Sequence, residues 1–254
     1  MLKTRLIPSL LLKNGRCVKG RNFTNFRDTG NPLTAARVYD AQGADELIFL
    51  DITASSENRN ILFGLVEKTA SNCFMPLTVG GGIRNVNDIR KCLQAGADKT
   101  SINTAAVENP NFITEGAKIF GDQCMVISID VRGDGKKEKY EVYTHAGSEA
   151  TGLNPVEWAK KAEKLGAGEI LITSIDREGT MTGYDLNLVR SIVDSVKIPV
   201  IAQGGVGTLQ HLVEGVTIGH ASAVSAASIF HFTDQSVIKA RAYMKEAGLN
   251  VRQG

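Results

Sequence analysis

The chain has 254 residues, of which 43% are hydrophobic and 22% are charged, with a formal net charge of +2. This composition is typical of a globular protein and allows one large barrel core or two small domains. Acidic and basic residues are mixed, without the basic block expected of a nucleic-acid-binding protein. No apolar run approaches the roughly 20 residues that cross a bilayer. We therefore expect neither a nucleic-acid partner nor a membrane partner.

The four cysteines show no metal-ligand spacing. Thiols without such spacing are typically reduced in a cytoplasmic protein. We therefore expect a cytoplasmic location, no metal site and no cofactor.

Short apolar runs alternate with amphipathic segments eight times along the chain. This alternation predicts a parallel sheet surrounded by helices. The predicted strands are, in chain order, 6–11, 46–51, 77–81, 99–103, 124–130, 169–174, 199–203 and 222–225.

Helix boundaries are marked at both ends. Asn31-Pro32 and Asn154-Pro155 each combine a capping side chain with proline at the first helical position. Four glycines are each predicted to end a helix just before a strand, as C-terminal caps do; they are Gly43, Gly96, Gly166 and Gly219.

Two insertions interrupt the alternation. Residues 13–30 are predicted to form a long polar loop after the first strand. Residues 131–143 are predicted to form a β-hairpin after strand five, with Asp134-Gly135 at its turn.

The chain also repeats itself with one offset. Residues 46–50 (ELIFL) resemble 169–173 (EILIT), Gly81-Gly82 resembles Gly204-Gly205, and residues 96–99 resemble 219–222, each 123 residues later. Three matches in one frame predict two (βα)4 halves, about 1–120 and 121–254. We therefore expect residues 1–254 to form a single (β/α)8 TIM barrel, an α/β fold with its function at the C-terminal ends of the strands.

The repeated glycines follow strands three and seven, and a small polar turn follows the next strand in each half. Glycine lets backbone N–H groups approach an anion closely. Tight strand–helix turns also use glycine, but the repetition favours two phosphate sites on a long ligand. They comprise Gly81, Gly82, Asn103 and Thr104 in one half, and Gly204, Gly205, Ala227 and Ser228 in the other.

Three aspartates fall at or just past strand ends: Asp51, Asp130 and Asp176. Asp130 shares the inward parity of its strand, which makes it a candidate general acid or base. For Asp51 and Asp176 a capping or ion-paired role is an equal alternative.

Arg5, Glu46, Lys99 and Glu169 begin strands one, two, four and six with inward parity. Four charges of alternating sign could neutralise one another at the closed end of a barrel. They form either a structural plug or a gate over a passage through the barrel.

The sequence resembles, over nearly its whole length, the synthase (cyclase) subunit of imidazole glycerol phosphate synthase. The stretches that carry the resemblance are FLDITAS from residue 49, TVGGGIR from 78, SINTAAVENP from 101, GEILITSID from 168 and SIFHF from 228. The resemblance implies a heterodimer with a glutaminase on the barrel floor. Ammonia would pass the charged gate and react with a bis-phosphorylated substrate at the mouth. It further implies that Asp98 helps to hold the partner and that Lys19 lies on a mobile loop over the substrate.

One position departs from the family pattern. The acid–base pair of the family comes from strands one and five, and Leu11 stands where the first aspartate is expected. Losing one positioned acid–base group typically costs ~10²–10⁴-fold in rate. Relatives with such a first strand resemble partners in nucleotide-sugar amidination for surface polysaccharide.

Three functions remain open. The first is the cyclisation of histidine biosynthesis, and the second, slightly favoured because of Leu11, is ammonia delivery for sugar amidination. The third is a non-catalytic module that activates the glutaminase. The sibling isomerase of histidine biosynthesis lacks the four floor charges and needs an aspartate on strand one, so it fits poorly.

Overall fold

A computed structural model describes residues 3–54, 57, 62–133 and 139–252. Within these residues, the strands are β1 (Arg5–Lys13), β2 (Arg16–Arg21), β3 (Thr24–Gly30), β4 (Leu47–Asp51), β5 (Leu77–Gly80), β6 (Lys99–Ile102), β7 (Met125–Gly133), β8 (Tyr140–Thr144), β9 (Glu149–Ala150), β10 (Glu169–Ser174), β11 (Val200–Gln203) and β12 (Ala223–Ala226).

The strands β1, β4, β5, β6, β7, β10, β11 and β12 are parallel and close into a barrel, since β1 pairs with both β12 and β4. All eight predicted strands are present, with ends shifted by at most a few residues.

Helices follow the barrel strands and cover the outside of the sheet. In the described part of the chain they are α1 (Pro32–Ala41), α2 (Phe63–Ala70), α3 (Val86–Gln94), α4 (Thr104–Glu108), α5 (Asn111–Phe120), α6 (Pro155–Leu165), α7 (Leu186–Val193), α8 (Leu209–Thr217), α9 (Ser228–Phe232) and α10 (Val237–Glu246), with a 3-10 turn at Asp122–Cys124. The predicted (β/α)8 barrel is therefore confirmed. None of these helices is both long and apolar enough to cross a membrane.

The core has two parts because side chains alternate across each strand. Outward-facing residues such as Leu6, Leu10 and Phe49 pack against the helices. A separate inner layer fills the barrel and consists of Ile7, Ile48, Val126, Leu171, Ile201 and Ala223. The barrel centre is thus packed with side chains and is apolar at mid-height.

The predicted helix starts are confirmed. The Asn31 side chain accepts from the N–H groups of Leu33 and Thr34, and Asn154 caps α6 in the same way. Gly43, Gly96 and Gly166 have positive φ, as expected for residues that end helices.

Gly219 also follows the end of α8, as predicted, but the left-handed residue there is His220, with φ 57°. A Cβ added to Gly219 would lie 2.6 Å from the carbonyl oxygen of Gly215 in the last turn of α8, so the chain requires glycine where it leaves this helix.

The loop predicted at residues 13–30 is instead a β-hairpin. Strand β2 continues antiparallel from β1, with Leu11 opposite Val18, and β3 pairs with β2. Asn14 and Gly15 connect β1 to β2 with φ of 52° and 73°, the conformation that Asn-Gly favours in two-residue hairpin turns. The sequence did not predict these strands because residues 13–30 are mostly polar and lack an apolar run of strand length. We call residues 16–30 the mouth hairpin.

The second insertion is a hairpin as predicted, with β8 antiparallel to β7 and Asp130 opposite Tyr143. The predicted turn residues Asp134 and Gly135 lie outside the described residues.

Candidate active site at the barrel mouth

A cavity of about 430 Å³ opens at the C-terminal ends of the strands. Its lining includes the predicted residues Leu11, Asp51, Asp130 and Asn103. The chain thus places its candidate site where barrel enzymes carry theirs.

Asp130, at the inward-facing end of β7, is held by several hydrogen bonds. The Asn103 amide donates to its Oδ2 over 3.0 Å, and the Ser128 hydroxyl donates to its Oδ1 over 3.5 Å. Burial raises the pKa of Asp130 to about 6, against hydrogen bonds from Asn103, Ser128 and Thr173 that lower it. A carboxyl group with this pKa exchanges protons near neutral pH, which suits a general acid or base.

Leu11 lies in the same cavity but contributes only apolar surface. It is 7% exposed and stands in register with Leu50 on β4. Phe23 and Phe26 of the mouth hairpin also line the cavity and add apolar surface. None of these four side chains can transfer a proton, so this wall of the cavity differs chemically from the wall that carries Asp130.

The two other candidate aspartates occupy different positions. Asp51 is buried in the cavity wall, and its Oδ1 accepts from the N–H groups of Thr53 at 3.3 Å and Ala54 at 3.2 Å. Asp176 is half-exposed and does not line the cavity; its Oδ2 accepts from the N–H of Gly133 over 2.7 Å. Asp51 thus faces the site, whereas Asp176 anchors the end of β7.

The first predicted phosphate site, Gly81, Gly82, Asn103 and Thr104, lines this open cavity; we call it the first cradle. Gly81 has φ 98°, and a Cβ added there would lie 2.1 Å from the carbonyl oxygen of Asp51. Only glycine fits this turn. Among the described residues, Asn103 Oδ1 and Ser101 Oγ are buried without a hydrogen-bond partner, which leaves polar capacity for a ligand.

The second predicted site, Gly204, Gly205, Ala227 and Ser228, lines a much smaller space of about 10 Å³; we call it the second cradle. Lys19 and Glu178 share this space and form an ion pair. Burial lowers the pKa of Lys19 to about 7. Lys19 was expected on a mobile loop over the substrate; it lies instead in β2, at the second cradle.

The mouth hairpin is tied to the loop after β10. The Asn22 N–H donates to the Glu178 carbonyl over 2.8 Å, and its amide donates to the carbonyl oxygens of Ile175 at 3.0 Å and Asp176 at 2.7 Å. A Cβ added to Gly179 would lie 2.0 Å from the Gly20 carbonyl oxygen. These contacts bring Lys19 to Glu178.

The predicted floor charges meet at the opposite end of the barrel. Glu46 Oε2 lies 2.8 Å from Arg5 Nη1 and 2.9 Å from Lys99 Nζ. Glu169 also forms ion pairs with both Arg5 and Lys99, and its Oε2 lies 2.9 Å from Lys99 Nζ. Asp98 is exposed at the same end and accepts from the Leu77 N–H over 2.8 Å. The four charges form a closed ring across the barrel floor.

Sequence reasoning missed several polar residues that line the mouth cavity, among them Arg84, His145 and Glu178. Arg84 follows the glycine turn directly, which could have indicated it. His145 and Glu178 lie on loops whose course depends on the insertions, so no local pattern marked them.

No group of three His, Cys, Asp or Glu side chains that could hold a metal occurs among the described residues. The four cysteines are free. The polar groups that line the mouth cavity include carboxylates, amides and hydroxyls.

A family model for histidine biosynthesis proteins matches residues 5–236. The match includes every barrel strand, the floor charges and both cradles. Together with the closed eight-stranded barrel, it shows that this chain belongs to the histidine biosynthesis protein family.

Proposed function

We propose that this chain is the synthase subunit of a cytoplasmic glutamine amidotransferase complex, in which a glutaminase docks on the barrel floor and supplies ammonia. The observation that carries the proposal is the closed ring of Arg5, Glu46, Lys99 and Glu169. Buried ion pairs cost desolvation energy and are weak stabilisers on their own. A ring whose two cations stay partly exposed toward the floor suits a gate that a partner opens.

The barrel interior above the ring suits the passage of a small neutral molecule. The apolar layer that contains Ile7, Val126 and Leu171 lies directly above the ring of charges. Ser9 and Ser225, buried hydroxyls on inward-facing positions, lie nearer the mouth. An unpaired ammonium ion would pay a large desolvation cost in the apolar layer, whereas neutral ammonia would not. We therefore propose that uncharged ammonia travels to Asp130.

For the acceptor we propose a phosphorylated sugar or nucleotide that is aminated at the mouth, in a nucleotide-sugar amidination pathway for surface polysaccharide. The first cradle would hold a phosphate beside Asp130. Cyclisation of an imidazole ring needs proton transfer on both sides of the forming ring, and Leu11 makes one side apolar.

The second candidate is imidazole glycerol phosphate cyclisation in histidine biosynthesis. Asp130, with a pKa of about 6, favours it because the remaining acid–base group is well placed and tuned. Turnover with the ribulosyl-formimino nucleotide separates the two candidates.

The partner is tested by co-purification with the glutaminase encoded beside this chain. We expect a stable heterodimer and a loss of about tenfold or more in affinity for Asp98→Ala, equivalent to about 1.4 kcal/mol. The matched control is Asp28→Ala, an exposed aspartate on the mouth hairpin. A variant with all four ring residues changed to alanine should bind but fail to activate the glutaminase; normal activation would refute the gate.

A further inference from the structure

A second large cavity, of about 800 Å³, lies outside the ring of barrel strands. It is bounded by the end of β7, by β8, and by the starts of α6 and α7. We call it the outer groove. The side chains there that bear on ligand binding are Arg132, Lys139, Tyr140, Glu141, Tyr143 and Leu153. The described residues that line it do not include any that line the mouth cavity, so the two are separate sites.

The outer groove and the mouth cavity differ in charge. Among the described residues, the carboxylates that line the mouth cavity are Asp51, Glu108, Asp130 and Glu178. The outer groove carries the cations Arg132 and Lys139 instead, and Glu141 is the only acid among its described lining residues. The Glu141 carboxylate is engaged, because its Oε1 accepts from the N–H of Gly152 over 2.7 Å. The charges of the outer groove therefore favour an anionic ligand.

Arg132 is presented in a geometry that suits an anion. Its guanidinium carbon lies 4.8 Å from the centroid of the Tyr143 ring. Stacking of this kind fixes the plane of the guanidinium, and the N–H groups at its edge match the paired oxygens of a phosphate. Arg132 Nε also lies 3.9 Å from Asp176 Oδ1, but both side chains are about half exposed. An exposed pair at this distance contributes little, so a phosphate can replace it at low cost.

The rest of the outer groove offers surface for a flat ring. The hydroxyl of Tyr140 donates to Asp185 Oδ1 over 2.9 Å, which holds the Tyr140 ring in place. Leu153 adds apolar surface and is 36% exposed. Fixed aromatic rings provide large contact area at a low cost in conformational entropy. The groove thus combines a cationic part with aromatic and apolar parts.

We propose that the outer groove is a second ligand site, separate from the mouth, which binds an aromatic ring that carries a phosphate, as in a nucleoside monophosphate. The phosphate lies at Arg132 and Lys139, and the ring packs beside Tyr140 and Tyr143. The volume is within the range of small-molecule sites. The groove is at the mouth end of the barrel, so a partner on the floor leaves it accessible.

Calorimetric titration of the full chain with adenosine 5′-monophosphate tests the inference. Adenosine and ribose 5-phosphate should each bind at least about tenfold more weakly, because each lacks one of the two recognised parts. Arg132→Met should weaken binding of the monophosphate about tenfold or more, since it removes hydrogen bonds from a charged donor. Tyr143→Leu keeps the main chain of β8 and should weaken binding about fivefold or more, because it removes a ring against which the base packs.

Two control variants identify the site. Arg190→Met removes an exposed arginine of α7 that pairs with Asp194 outside the groove, and it should leave binding unchanged. Thr104→Glu places a carboxylate in the first cradle, so binding that persists in this variant does not depend on the mouth. Binding that is lost in Thr104→Glu but unchanged in Arg132→Met would overturn the inference. Adenosine that binds as tightly as its monophosphate would overturn it as well.

A measurement on the wild-type chain covers the case in which the variants do not fold. Lys139 is exposed in the groove, and Lys164 is exposed at the far end of α6. Saturating adenosine 5′-monophosphate should slow acetylation of Lys139 about threefold or more, measured by mass spectrometry, and should leave Lys164 unchanged. Equal acetylation of Lys139 with and without the monophosphate would refute the site. Neither result depends on a glutaminase partner or on amination at the mouth.

Discussion

The two halves of the barrel use the same backbone at the mouth and fill it differently. Gly81 and Gly204, 123 residues apart, both have φ 98°. The first turn opens into the large cavity, whereas Lys19 and Glu178 occupy the second. The comparison shows that a repeated backbone can persist while side chains from insertions and loops decide what each copy binds.

The same asymmetry holds for the ends of β1 and β7. Asp130 ends the inward-facing row of β7 with hydrogen bonds from Asn103 and Ser128. Leu11, on β1, lies against Leu50 in the apolar wall. Of these two strand ends, only that of β7 carries a proton-transfer group. The most informative experiments are therefore those that make the two strand ends alike.

The largest effect is expected when an acid is restored to the first half. With free ammonia and the ribulosyl-formimino nucleotide, Leu11→Asp should raise the very slow cyclisation rate about 10²-fold or more, because it supplies the second acid–base group. The gain should lie in kcat rather than KM, the pattern for an interaction made in the transition state. Steady-state kinetics measures both.

Leu11→Asn is the matched control, since it has the shape and polarity of the aspartate but does not transfer the proton. We expect no gain from it. Wild-type turnover that is already fast and unchanged by Leu11→Asp would contradict the prediction. Asp51, which lines the cavity, would then be the first replacement acid to test.

The two repeat-related glycines allow a direct comparison of backbone strain. Alanine at either position adopts an unfavourable positive φ, which costs on the order of 1–3 kcal/mol. The added Cβ would overlap the Asp51 carbonyl oxygen at 2.1 Å in Gly81→Ala, but would lie 3.0 Å from the Ser174 carbonyl oxygen in Gly204→Ala. We expect Gly81→Ala to lose about 3 kcal/mol or more of unfolding free energy and Gly204→Ala less. Denaturant unfolding of both variants measures the difference, and equal losses would refute it.

The smallest effect concerns the pH dependence of stability. Because the pKa of Asp130 is raised to about 6, the folded state holds a proton that the unfolded state has already released between about pH 4 and 6. Stability from this group therefore falls as pH rises through that window. Asp130→Asn should be more stable than the wild type above pH 6, by up to about 3 kcal/mol, and similar below pH 4.

Denaturant unfolding at pH 4 and pH 8 measures this difference. Asp28→Asn is the control, since Arg16 lowers the pKa of Asp28. The stability that this carboxylate contributes is lost only as pH falls below about 4, so the effect of the substitution should be nearly equal at pH 4 and pH 8. An Asp130→Asn advantage that is equal at both pH values would show that the carboxyl group is not desolvated.

The sequence by itself determined the barrel strands, the helix starts and the positions of the floor charges. These features follow from local rules: apolar runs of strand length, Asn-Pro at helix starts, and the period of two that fixes which side chains face inward. The parity of Glu46 and Glu169 was enough to predict that they would share the inner face with Arg5 and Lys99. The sequence also showed that position 11 has no proton-transfer group, because that property follows from the identity of one residue, Leu11.

Only the tertiary structure decided what the second cradle contains. Lys19 and Glu178 are far apart in sequence, and their pairing depends on the mouth hairpin packing against the loop after β10, through Asn22 and Gly179. The course of such a segment is set by long-range contacts rather than by local propensity. The raised pKa of Asp130 likewise depends on burial by distant parts of the chain. Local sequence patterns therefore predicted where the charged side chains lie along the chain. Tertiary packing, including that of the insertions, decided their charge state and their access to a ligand.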